Sequence, residues 1–295
     1  MRVCDLQAGK NSRPVSIKPA PARSVRLRAA IARRYGNTRM VFLFILYAAA
    51  FGQTSDYERG VALFEKGQLD AAIPPLMRST EAHPQDSRSW KALGVVYAAK
   101  GWYELAEPPL RRACDLDPKL EDACYYEARA LYALNRFELS LEALVRAALA
   151  APKRWKIHLG MAQALEALAR AQEAEQEFKK TLALARDSDS QPGVAYGLFL
   201  VRQGRFEEAV APLQEVLQRF PESADAHTHL GRALLERGQI EASTAHLERA
   251  VAMQPASAQA HLLLAKAYVR AGRVMEAQPH FEAAARYEQA SQAAR

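Results

Sequence analysis

Between Ser87 and Leu120 apolar residues fall twice into a helical period, with one break between the two runs. Trp90, Leu93, Gly94 and Tyr97 stand at i, i+3, i+4 and i+7 and mark one face of a first helix. Ala106, Leu110 and Ala113 mark a second, Gly101 breaks the chain between them, and Pro118 stops the second helix. Small residues at Gly94, Ala106 and Ala113 allow the two helix axes to approach closely, with Trp90, Tyr97 and Leu110 around the contact.

The same pattern recurs along most of the chain. The Gly94 slot is filled in turn by Gly60, Gly94, Ala128, Ala162, Gly197, Gly231 and Ala265, at steps of 34, 34, 34, 35, 34 and 34 residues. The turn slot holds Gly67, Gly101, Asn135, Ala169, Gly204, Gly238 and Gly272. The Leu110 slot holds Leu76, Leu110, Leu144, Phe178, Leu213, Leu247 and Phe281, and the helix stops are Pro84, Pro118, Pro152, Pro221 and Pro255. A helix–turn–helix unit of this length with a W…LG…Y…A…F…P signature resembles the tetratricopeptide repeat (TPR) family. The resemblance runs from Gln53 to about Ser291 and implies an all-α protein, a right-handed α-α superhelix of about seven repeats. Such a solenoid grows by adding units and needs no central core, so residues 53–295 are expected to form one array. Repeat four departs most: Ala162 and Ala169 replace both glycines and Arg186 stands in the proline slot. The added residue falls in the polar stretch 187–193, the expected place for a joint.

Charge changes the picture at the N-terminus. Residues 1–39 hold ten Lys or Arg against the single acid Asp5, whereas the whole chain has 40 basic and 33 acidic residues. The net charge of +7 therefore belongs to the tail, and the repeats carry no excess of cations to set against phosphates, which argues against a nucleic-acid partner. The tail lacks a helical period and is expected to be disordered, with translation starting at Met40 or another internal site as a further reading. Met40 to Gly52, MVFLFILYAAAFG, is an apolar run behind basic residues that ends in small ones. It is too short to span a bilayer easily and has the layout of a cleaved signal peptide. The expected location is therefore periplasmic or extracellular, with a mature start near Gln53. The alternative is a cytosolic or membrane-anchored regulatory array that retains this segment.

Candidate chemistry is sparse. The sequence has no GxxxxGK[ST], GxSxG or HExxH motif, and no cofactor, metal or catalytic residue is assigned. His227 and His229 form an HxH pair whose members point about 200° apart on a helix, so they share no ligand. His158, His227 and His261 occupy the Trp90 slot, and His246 and His280 share another, which duplication and packing explain. Cys114 and Cys124 have no metal-ligand spacing. They are either two small core residues or, after export, a disulfide.

The TPR resemblance implies that first helices line a concave groove and that the partner is a protein or extended peptide. On the stripe beside the core stripe lie Tyr57, Phe64, Lys91, Tyr125, Arg129, Tyr132, Arg232 and Lys266, with apolar members such as Leu159, Val201, Thr228 and Leu235 between them. Aromatic faces and cations suit apolar side chains and carboxylates respectively. Lys91 matches the lysine of the family's carboxylate clamp, but Val95 replaces the asparagine, so no chaperone-adaptor role follows. At the far end, His280, Ala283, Tyr287 and Ala290 form the expected outer face of the last helix, and a mainly monomeric protein with a weak dimer through it is anticipated.

Overall fold

The computed structural model describes residues 55–120, 122–185 and 189–293. The basic tail and the apolar segment 40–52 lie outside the described residues, as do residues 186–188, which include the first two of the expected joint 187–193. The described residues form fourteen helices and no strand. They divide into two compact units, one ending at Leu134 and one beginning at Asn135. Residues 189–193 belong to the second unit.

The first unit contains α1 (Asp56–Glu65), α2 (Leu69–Ala82), α3 (Ser87–Ala99), α4 (Tyr103–Leu116) and α5 (Ala123–Ala133). The second contains α6 (Phe137–Ala150), α7 (Trp155–Ala167), α8 (Ala171–Ala185), α9 (Gln191–Arg202), α10 (Phe206–Arg219), α11 (Ala224–Glu236), α12 (Ile240–Met253), α13 (Ala258–Arg270) and α14 (Val274–Ala293). Every residue in the predicted turn slot is left-handed: the glycines have φ of 72–75°, Asn135 has 56° and Ala169 58°. After the α3 turn, Trp102 N–H donates to Tyr97 O at 3.0 Å and Gly101 N–H to Ala98 O at 3.0 Å, and the turns at Gly67, Ala169, Gly204, Gly238 and Gly272 repeat this closure. That conformation costs a non-glycine residue about 1–2 kcal/mol, so at Ala169 the turn is held by the helices it joins.

Burial follows the predicted stripe. Leu76, Leu110, Leu144, Phe178, Leu213 and Leu247 are all at most 2% exposed. A Cβ added to Gly94 would lie 2.5 Å from Leu110 Cγ and 3.1 Å from Ala106 O, which is why that slot takes the smallest residues. Several helix starts are capped by side chains: Ser55 forms a full capping box with Glu58, and Ser223 and Ser257 accept from Ala226 N and Ala260 N.

The Trp90 slot has a use that periodicity does not reveal. Trp90 Nε1–H donates to Pro84 O at 3.0 Å, and the Nε2–H groups of His158, His227 and His261 donate to Pro152, Pro221 and Pro255 O at 2.9, 3.1 and 3.0 Å. Each ring ties its helix to the carbonyl of the preceding helix stop. In the third repeat the slot holds Cys124, bonded to Cys114 with Cα atoms 4.8 Å apart. Of the two readings of this pair, the bridge is the one formed. Its sulfur lies 4.0 Å from Pro118 O but has no hydrogen to donate, so here the covalent link replaces the hydrogen bond. Among the described residues no helix is long and apolar enough to cross a membrane.

Candidate functional site

The first-helix stripe is open in parts only. In the first unit Tyr57 and Phe64 are half-buried because both lie against the cluster of Ala72, Leu76, Leu93 and Val96. Tyr57 also has the Arg88 guanidinium over its ring, 5.5 Å from the centroid. Lys91, Tyr125, Arg129 and Tyr132 are half-buried as well, and Tyr125 is tilted against Tyr126 with centroids 5.9 Å apart. In the second unit Arg232 is half-buried, while Lys266 is exposed beside Leu262 and Val269, at 38% and 45%. Leu159, Val201, Thr228 and Leu235, expected between these on an open stripe, are instead 5, 1, 6 and 0% exposed. The physical reason is that an inner first helix is covered on this side as well as on its core side. Thr228 turns its hydroxyl back onto Ala224 O at 2.8 Å, satisfying it within the helix.

Several cations away from the stripe are tied into ion pairs. Arg205 is held between Glu175 at 2.5 Å and Glu208 at 2.6 Å, and Arg170 and Arg273 each bind a glutamate three residues on, at 2.6 and 2.5 Å. Together with Lys179, Arg205 holds the Glu175 carboxyl down at about 2, with the Arg205 hydrogen bond as the main cause. Arg129, Arg232 and Lys266 share one repeat slot and make no ion pair or hydrogen bond among the described residues. An unpaired guanidinium or ammonium fixed on a helix is ready to take a carboxylate or carbonyl.

One residue beside this stripe escaped the sequence reading. His229 is 7% exposed and its Nδ1 has no hydrogen-bond partner among the described residues. Burial pushes its imidazole down to about 4; Asp225 opposes this, and Arg202 and Arg232 add to it. Position in an HxH pair offered no hint, since the other member, His227, has a structural task.

Four of the remaining histidines form two pairs across helix hairpins. Nδ1 of His227 is 2.8 Å from Nδ1 of His246, and Nδ1 of His261 is 2.9 Å from Nδ1 of His280. Because a carbonyl can only accept, Nε2 of His227 carries the proton, its Nδ1 accepts, and His246 Nδ1–H donates. Ring centroids 5.1 Å apart place the two nitrogens nearly in line, the geometry of a hydrogen bond and not of two ligands converging on a metal. In the fifth repeat the paired slots hold Gly193 and Pro212, and a cleft of about 180 Å³ lined by these two with Leu182, Val216 and Phe220 lies there.

Comparison with known proteins agrees with this architecture. The tetratricopeptide repeat model matches residues 57–121, 125–190, 197–258 and 230–294, well over half of the chain. Among solved structures, a tetratricopeptide repeat protein from Parabacteroides merdae is 16% identical, with 79% of this chain and 94% of that one covered and a TM-score of 0.65. The Cut9–Hcn1 hetero-tetramer of APC/C is 16% identical, covering 78% of this chain and 45% of that one at a TM-score of 0.62. MamA from Desulfovibrio magneticus RS-1 is 23% identical, covering 59% and 97% at a TM-score of 0.50. These likenesses concern the fold alone, and no curated protein is a significant match in sequence. With left-handed turns, buried leucine slots and a matching family model in the same register, the chain belongs to the tetratricopeptide repeat family.

Proposed function

We propose that this chain is an exported, non-enzymatic scaffold that binds a protein or extended peptide along its first-helix stripe, in the assembly of envelope complexes. The observation that carries this reading is the unpaired cation recurring in one slot at Arg129, Arg232 and Lys266. Tyr57, Phe64, Tyr125 and Tyr132 supply aromatic surface in the first unit, and Lys91 a further ammonium. The partner is a chain with carboxylates spaced among apolar side chains. Export is supported by the apolar segment Met40–Gly52 and by Cys114–Cys124, since disulfides persist in oxidising compartments. The mature N-terminus, read by mass spectrometry of the natural protein, is expected at or near Gln53; an intact segment 40–52 on soluble cytosolic protein would refute export.

Binding is tested by selecting random displayed peptides on the immobilised chain and counter-screening with Arg129→Glu, Arg232→Glu and Lys266→Glu combined. Acidic peptides that lose about tenfold or more in affinity on the variant are expected. Peptides that bind both proteins equally would remove the stripe as the site. Adding Tyr125→Ala separates the aromatic contribution from the charge.

A further inference from the structure

Repeats four and seven are built alike at their core: both have alanine in the first small-residue slot, Ala162 and Ala265, and phenylalanine in the leucine slot, Phe178 and Phe281. Their surroundings differ. Phe178 is 1% exposed, whereas Phe281 is 40% exposed. The cover over Phe178 comes from α9, whose Phe199 and Tyr196 rings lie 4.9 and 6.2 Å away. Tyr196 also donates its hydroxyl to Glu175 Oε1 at 3.2 Å, one turn before Phe178. A helix with aromatic residues at i and i+3 thus seals this row of α8, formed by Ala171, Glu175, Phe178 and Leu182.

The equivalent row of α14 is Val274, Gln278, Phe281 and Ala285, and all four residues are exposed, Val274 at 60%. The bare side of the last helix is therefore not the one the sequence indicated. His280 is hydrogen-bonded to His261, Ala283 is 7% exposed, and Tyr287 stacks on His261 with centroids 5.7 Å apart. Tyr287 is committed inside its own repeat.

We propose that the row Val274, Gln278, Phe281 and Ala285 docks an amphipathic helix from another polypeptide that presents tyrosine and phenylalanine three residues apart. The internal precedent defines the occupant. Its phenylalanine packs on Phe281 as Phe199 packs on Phe178, and its tyrosine hydroxyl donates to the amide oxygen of Gln278, which stands in the position of Glu175. Gln278 keeps that oxygen available because it donates through Nε2 to Glu282 Oε1 at 3.2 Å. Glu282 and Glu288 replace Lys179 and Ala185 beside the row, so the occupant carries lysine or arginine at its margins. A second copy of this chain does not fit this description, since its own Tyr196–Phe199 pair is half-buried and buried beneath α8. This surface is separate from the first-helix stripe and does not depend on it.

The test uses the full chain and a labelled peptide with the sequence of residues 190–203, held helical by a lactam on its polar face, followed by fluorescence anisotropy. Saturable binding is expected, weakened about tenfold or more by Phe281→Ser and by replacing the peptide's tyrosine and phenylalanine with alanine. Val274→Lys sits at a mostly exposed position, leaves the core untouched, and is expected to weaken binding in the same direction. Absence of saturable binding, or equal affinity for both protein variants, would overturn the proposal. So would sedimentation velocity showing a dimer of the chain alone that Val274→Lys dissociates, because the row would then belong to a second copy.

Discussion

In the first unit, the residue that ties a first helix back to the preceding turn is Trp90 or Cys124; in the second it is His158, His227 or His261. All five occupy one slot and face a proline carbonyl six residues earlier, yet an indole, a disulfide and an imidazole serve there. What the slot requires is a link between turn and helix. What varies is the chemistry of the link: reduction breaks it at Cys124, whereas the second unit holds buried imidazoles, His227 and His229 among them, that burial keeps from taking up a proton. The two units should therefore come apart under different stresses, although they share one repeat.

Reduction gives the largest expected difference. Replacing Cys114 and Cys124 together by serine removes a link closing a loop of ten residues and should cost the first unit about 2–3 kcal/mol. Hydrogen exchange read by mass spectrometry should show α4 and α5 losing protection while α11 to α14 do not change. Equal loss in both units would show that they do not respond separately.

Acid should act the other way round. The second unit holds six of the seven histidines, and the first has only His83, exposed in a turn. Burial holds His227, His229, His246 and His280 below the ordinary imidazole range, His229 at about 4. Above pH 6.5 these groups are neutral in folded and unfolded chains alike and contribute no pH dependence. As the pH falls below 6.5 the unfolded chain takes up protons that the folded chain refuses, so stability is lost on acidification and fully so below the folded value. His229 alone accounts for about 2 kcal/mol at pH 5. Urea titrations at pH 7.5 and 5 should show the second unit weakened; a flat profile would mean that the buried imidazoles accept protons in place.

The smallest effect sharpens the equivalence itself. Trp90→Phe keeps an aromatic ring but gives up the bond to Pro84 O, for a loss of about 1 kcal/mol in thermal or urea unfolding. Trp90→His should recover most of that, because an imidazole Nε2–H makes the same bond in three other repeats. If histidine is no better than phenylalanine, ring packing and not the hydrogen bond explains the slot.

Local chemistry was legible in the sequence because it repeats. A glycine or asparagine at the same offset, a leucine that never exposes itself and a proline after most second helices state backbone geometry directly, so turns, helix bounds and buried slots could be assigned from spacing. The left-handed Ala169 follows from register alone, against its own preference. Three-dimensional neighbours decided the rest. Spacing places Leu159, Val201, Thr228 and Leu235 on the same stripe as Arg232 and Lys266, but only the packed array shows which of them a neighbouring helix covers. Phe178 and Phe281 carry the same local signature and differ only in whether α9 or nothing in the described chain lies over them. The sequence determined the repeat, since each helix hairpin is fixed by contacts within about 34 residues. Which faces remain open for a partner depends on contacts between hairpins, and those exist only once the hairpins within each unit have packed on one another.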